Sequence, residues 1–155
     1  PGFSIREDSD WALDVLASEG FEYDSSVFPA SRAHGGLPDA EPFPTRLPNG
    51  LMEFPVSTIS TPLSRVAYLG GGYLRLFPTS LILHWARGQR ARDESLVLYI
   101  HPRDIDLDQP RLDLGAFRNF KSYVGIGGCL DKVTTLLNEF DWVPFRDYPR
   151  DGVAS

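Results

Sequence analysis

Cysteine, methionine and histidine are scarce in this chain: one Cys (Cys129), one Met (Met52) and three His (His34, His84 and His101) among 155 residues. A single cysteine excludes an internal disulfide and any multi-cysteine zinc site, and it does not identify the compartment. The three histidines are far apart, and neither a His-Glu-x-x-His run nor a Cys-rich run is present, so no metal-binding motif is legible. No apolar stretch approaches the length of a membrane-spanning helix, and no secretory leader pattern is visible. Basic residues are also few at the start: residues 1–60 hold ten acids but only three bases, Arg6, Arg32 and Arg46. The basic stripe that nucleic acid or an anionic membrane demands is therefore absent from the sequence pattern. A net charge of −6 fits a neutral or cationic substrate more readily.

What is present is bulky. Hydrophobic residues make up 42 %, with ten Phe, six Tyr and three Trp, enough for a sizeable core in one domain or a large piece of one. The 13 Pro and 14 Gly are scattered and read as punctuation of a loop-rich fold. The chain opens Pro1-Gly2-Phe3-Ser4 and its only methionine is internal, which points to a chain processed or cropped from something longer.

Periodicity predicts a helix over residues 8–19, with Trp11, Val15 and Leu16 on one face and Gly20 as its stop. A short strand over 21–25 follows, then a proline- and glycine-rich loop over 29–50 and a strand over 51–56 that Pro55 marks as an edge. Pro78 opens a helix running to about Gln89. Residues 96–100 form a nearly continuous apolar run, read as a strand buried on both faces as in a parallel sheet. A loop rich in Asp, Pro and Arg precedes a last helix over 130–140, and residues 147–155 read as a fraying polar tail behind a domain of residues 1–146. Helix, glycine, strand is the grammar of an α/β fold.

Chemistry concentrates on few residues. His101 ends the 96–100 run, where α/β folds place their sites, and alternation sends Tyr99 to the same side. An imidazole there serves as general acid or base, or as a structural ring bonded to loop carbonyls. Asp24 ends the earlier strand and reads either as a carboxylate orienting that histidine or as a turn cap assisted by Ser25 and Ser26. His34 and His84 read as a solvated loop residue and a helix-surface residue. Gly70-Gly71-Gly72 lacks the lysine and spacing of a phosphate loop.

Four runs together carry a family resemblance: Pro1-Gly2-Phe3-Ser4-Ile5, the stretch from Gly20 to Pro29 (GFEYDSSVFP), Gly70-Gly71-Gly72-Tyr73-Leu74-Arg75, and Tyr99-Ile100-His101-Pro102. Up to about Trp142 the chain resembles the polysaccharide deacetylase superfamily, in the bacterial branch associated with exosortase and exopolysaccharide gene clusters. The resemblance implies the C-terminal part of a distorted (β/α) barrel that hydrolyses N-acetyl groups of amino sugars in a polysaccharide. It implies that His101 is the general acid, that Asp24 tunes it, and that the Gly2 backbone N–H helps hold the oxyanion. Tyr99 then replaces a leucine of the acetyl-methyl pocket, and Tyr73, Arg75 and Phe28 contact substrate. The divalent metal of the parent enzyme, zinc by resemblance, takes its ligands from an Asp-Asp and a His-x-x-x-His run upstream of Pro1. This chain alone is therefore expected to bind no metal, to turn over little, and to self-associate through exposed barrel edges. Two other readings stand beside this one: a glycan-binding module without chemistry, and a structural half-domain completed by another chain.

Overall fold

The computed structural model describes residues 5–30, 36–62 and 64–149. It is a mixed α/β structure of five α-helices and two small sheets among the described residues. Helix α1 (Trp11–Ser18) leads through Gly20, at φ +83°, into β1 (Tyr23–Asp24). Strands β2 (Thr45–Arg46) and β3 (Met52–Glu53) complete a three-stranded sheet of order β1-β3-β2, with β1 parallel and β2 antiparallel to β3. Strands β4 (Ile59–Ser60) and β5 (Arg65–Val66) form a separate antiparallel pair. Four helices follow: α2 (Gly71–Leu76), α3 (Thr79–Arg90), α4 (Ala116–Tyr123) and α5 (Cys129–Glu139). These residues form no closed barrel, because no ladder joins the two sheets.

The main core lies where α2, α3 and α5 meet. Leu74, Ile82, Ala86, Cys129, Val133 and Leu136 pack there on Tyr68 and Leu69. The i, i+4 spacing of Ile82 and Ala86 on α3, and the i, i+4, i+7 spacing of Cys129, Val133 and Leu136 on α5, give each helix one buried stripe. Tyr68 is fully buried with a hydroxyl, which it donates to Gln89 Oε1. Burial first, and the Glu94 carboxylate besides, push that phenol well above its ordinary range against the opposing pull of Arg92.

The apolar run 96–100 is not the strand its composition predicts. It is extended, but its single ladder contact is a parallel bridge between Tyr99 and Gly70. Val97 instead donates its N–H to Ser57 Oγ (2.7 Å), and Ile100 is exposed. The run is apolar because Leu96 and Leu98 pack on the helical core on one side while Val97 joins Met52 and Phe54 on the other. Tyr148 meets the Phe54 ring edge-on at 5.1 Å and shares a 2.7 Å hydrogen bond with Ser95 Oγ, so the packed body extends past Asp147.

Candidate active-site cleft

Pro102 organises the first wall of a cleft. A residue before proline is driven out of the helical region, and His101 accordingly sits at φ −105°, ψ 152°, with Pro102–Asp104 turning as a short 3-10 helix behind it. Asp104 closes that turn in both directions. Its N–H donates to the His101 carbonyl (2.8 Å), and its Oδ2 accepts the His101 N–H (3.0 Å). Alternation along the extended segment brings Tyr99 and His101 to one side, where their rings meet edge to face with centroids 5.5 Å apart.

The glycine triplet makes the second wall. Tyr99 donates its N–H to the Leu69 carbonyl (3.1 Å) and lays its ring over the triplet. A Cβ at Gly70 would lie 2.0 Å from Tyr99 Cε1, and one at Gly71 would lie 2.6 Å from Tyr99 Oη. Gly71 is also left-handed, at φ +50°, which a side chain would resist. Gly70 and Gly71 therefore make room for a tyrosine ring. Helix α2 starts at that point and carries Tyr73 and Arg75 into the cleft.

Arg75 joins these walls to a third. Its buried guanidinium lies 3.1 Å from Asp104 Oδ1, an ion pair off the line of the Nε–H. Its Nη1 donates to the carbonyls of Ser122 (2.7 Å) and Val124 (3.1 Å), and its Nη2 to that of Lys121 (3.1 Å). One cation thus ties α2, the turn after His101 and the end of α4 together. The open cleft measures about 620 Å³.

The cleft brings together Tyr99, His101, Tyr73, Arg75 and Phe28, which the sequence had placed in three separate segments. Their postures differ. Tyr73 is half exposed and stacked on Phe77 at 5.8 Å. Phe28 is buried with Ala30, Val56 and Ala67, so it forms floor rather than rim. Arg75 spends its donors on protein carbonyls and Asp104, which makes it framework. Asp24 is not among the lining residues. The register of β1 on β3 sets it beside Glu53 instead. Gly2 and His34 lie outside the described residues.

Asp24 and Glu53 form a second buried polar site. Ser26 Oγ donates to Asp24 Oδ1 (3.0 Å), and the Val27 N–H donates to Glu53 Oε1 (3.0 Å). Asp24 Oδ2 and Glu53 Oε2 are left without a donor, an expensive arrangement unless one proton bridges them. Burial first, and the neighbouring Asp24 carboxylate besides, push the Glu53 carboxyl up to about 8, so it keeps that proton at neutral pH.

Sequence reasoning missed Asp104, Arg65, Arg103 and Lys121 at the cleft and Glu53 beneath the sheet. The acid three residues after His101, across a proline, is the pattern of a capped turn and was readable. Arg65 and Lys121 arrive only through tertiary folding.

The family resemblance implies a divalent metal in the parent enzyme, and the described residues do not fit one. No group of three or more His, Cys, Asp or Glu side chains converges among them. In the cleft the two such donors are His101 and Asp104, and Asp104 is already held by Arg75 and the His101 N–H.

A family model described as a domain of unknown function (DUF3473) matches residues 25–150. No curated protein and no solved structure matches the chain.

Proposed function

We infer, taking as premise that this chain belongs to the DUF3473 family, that its cleft is the proton-donating side of a polysaccharide deacetylase site. The observation that carries this reading is the exposed His101 imidazole standing against Tyr99 inside a cleft built by Arg75 and the glycine triplet. In this reading the cleft holds an N-acetylated amino sugar with its acetyl methyl toward Tyr99. Water adds its oxygen to the acyl carbon and the C–N bond breaks. His101 delivers a proton to the departing nitrogen, because an amine leaves poorly until protonated. Asp104 is committed to holding the turn and is unavailable as the base. The reading therefore takes the base, and any metal, from outside the described residues. The barrel architecture of the deacetylases belongs to the same proposal.

The test is His101→Ala in the natural full-length protein, with acetate release from an acetylated amino-sugar oligomer as the readout. The expected loss in kcat is about 10²–10⁴-fold with little change in KM, since a proton donor acts mainly in the transition state. His101 is exposed, so the circular dichroism spectrum stays that of the wild type. An unchanged kcat would return His101 to the role of a turn residue and favour a glycan-binding module without chemistry.

A further inference from the structure

The chain carries a net charge of −6, yet its cleft has the opposite sign. Four cationic residues line it, Arg65, Arg75, Arg103 and Lys121, against one carboxylate, Asp104, which leaves three positive charges in excess. Arg75 and Asp104 neutralise each other underneath. The other three cations take part in no ion pair among the described residues, although carboxylates outnumber bases over the chain as a whole.

These cations are placed. Arg65 Nη1 is gripped by three carbonyls, those of Pro29 (3.3 Å), Pro38 (3.1 Å) and Ala40 (3.1 Å), which fix the guanidinium without cancelling its charge. The Lys121 ammonium rests 5.6 Å from the centroid of the Phe117 ring. Arg103 stands exposed beside His101 in the same lining. In the same lining, Tyr73 and Phe120 expose 46 % and 54 % of their surface, giving flat apolar faces of the kind that stack on sugar rings.

We propose that this cleft selects an acidic glycan, one whose sugar units bear carboxylate or phosphate groups, with Arg103, Lys121 and Arg65 as the anion-recognising residues. The proposal rests on the deacetylase reading for what happens at the acetyl group, but the charge recognition stands separately from it. A cleft lined by one sign with low-dielectric walls concentrates ligands of the other sign. A guanidinium matches both carboxylate and phosphate in geometry. The overall charge, which favoured a neutral or cationic substrate, is set by acids elsewhere on the chain.

The experiment is calorimetric titration of the full natural protein with four probes of similar length: a neutral N-acetylglucosamine oligomer, an oligouronide, a phosphorylated oligosaccharide and a single-stranded oligonucleotide. The oligouronide, the phosphorylated sugar or both should bind at least about tenfold tighter than the neutral oligomer at low salt, and the preference should collapse as ionic strength rises. Which acidic sugar binds separates the two anion sources. The double variant Arg103→Ala/Lys121→Ala should lose about tenfold for the acidic sugars and little for the neutral one. Arg87→Ala, a base on α3 paired with Glu139, should lose nothing. Both altered cleft side chains are exposed, and an unchanged melting temperature confirms the fold. Equal affinity for neutral and acidic oligomers, or an acid preference indifferent to the double variant, overturns the proposal. An oligonucleotide that binds as tightly through the same residues overturns its glycan part. Acetate release that depends on His101 but not on substrate charge would leave the deacetylase reading intact while this one fails. Charge-selective binding with no acetate release would do the reverse.

Discussion

Two carboxylates in this molecule hold oxygens away from solvent, Asp104 in the turn after His101 and Asp24 at the end of β1, and they solve the same problem in opposite ways. Asp104, beneath the cleft, faces the guanidinium of Arg75 and accepts the His101 N–H. Asp24, beside β3, faces another acid, Glu53, with Ser26 and the Val27 amide as the nearby donors. The first site is balanced by a cation. The second is balanced by a proton, and protons can be withdrawn. Burial decides the cost of an unpaired charge, but the choice of partner decides which condition exposes that cost.

The sharpest way to break the comparison is to unbalance the first site. Asp104→Ala leaves the Arg75 guanidinium buried with carbonyls but no anion, and the expected loss of stability is about 3–5 kcal/mol. Urea unfolding of the single variant and of Arg75→Met/Asp104→Leu measures it. The double variant should recover a large part of the loss, since removing both charges removes the penalty. A double variant as unstable as the single one would show that the carbonyl contacts of Arg75, and not charge balance, hold the three walls.

The second site should betray itself through pH. Glu53 holds its proton more tightly folded (to about 8) than at the ordinary value of 4.5, so its contribution is fully present below about 4.5. That contribution fades as pH rises toward 8, because the unfolded state gives up the proton first. The total change across this window is on the order of a few kcal/mol. Glu53→Gln imitates the protonated acid: its amide donates toward Asp24 while its carbonyl keeps the Val27 bond. Melts of both proteins from pH 5 to 8.5 should show the wild type losing stability and the glutamine variant staying flat over this interval. Parallel slopes would mean that the proton is not shared as described.

The smallest effect sharpens the contrast further. Ser26→Ala removes the neutral donor to Asp24 Oδ1, at an expected cost of about 1–2 kcal/mol. The pH slope should persist, because Glu53 and not Ser26 carries the proton. A slope abolished by this variant would move the titration away from Glu53.

Much of the helical half of the fold was legible in the sequence, and the reason is periodicity. Val133 and Leu136 on α5, and Ile82 and Ala86 on α3, announce one buried face each, and both helices lie within a residue or two of the expected limits. The sequence also carries a helical stripe at α4, where Phe117, Phe120 and Tyr123 recur at i, i+3 and i+6, but the Asp-, Pro- and Arg-rich stretch before it reads as loop, and the stripe faces the surface and the cleft rather than the core. The 96–100 run misled for the complementary reason. Apolar composition reports burial, and Val97 is buried by packing on Met52 and Phe54 and bonded to a serine hydroxyl, not paired in a strand ladder. At the cleft, Tyr99, His101, Tyr73 and Arg75 stood out as local motifs. Lys121, twenty residues past His101, and Arg65, well before it, had no local signature tying them to that histidine. Charge counted along the chain pointed to the wrong sign for the cleft, because sequence totals average over surfaces that folding separates.

Helix α2, which presents Tyr73, has six residues, too few to persist on its own in water. Its closing carbonyls are gathered by a single distant ammonium: Lys132 of α5 donates to Leu74 (3.2 Å), Arg75 (2.8 Å) and Phe77 (2.6 Å) across 55–58 residues of sequence. The loop that must close before this latch engages spans about a third of the protein, so the wall of the cleft is a long-range construction rather than a local one. A nascent chain that has not yet emerged as far as α5 lacks the ammonium that gathers these carbonyls, so the helix that presents Tyr73 depends on a residue made long after it.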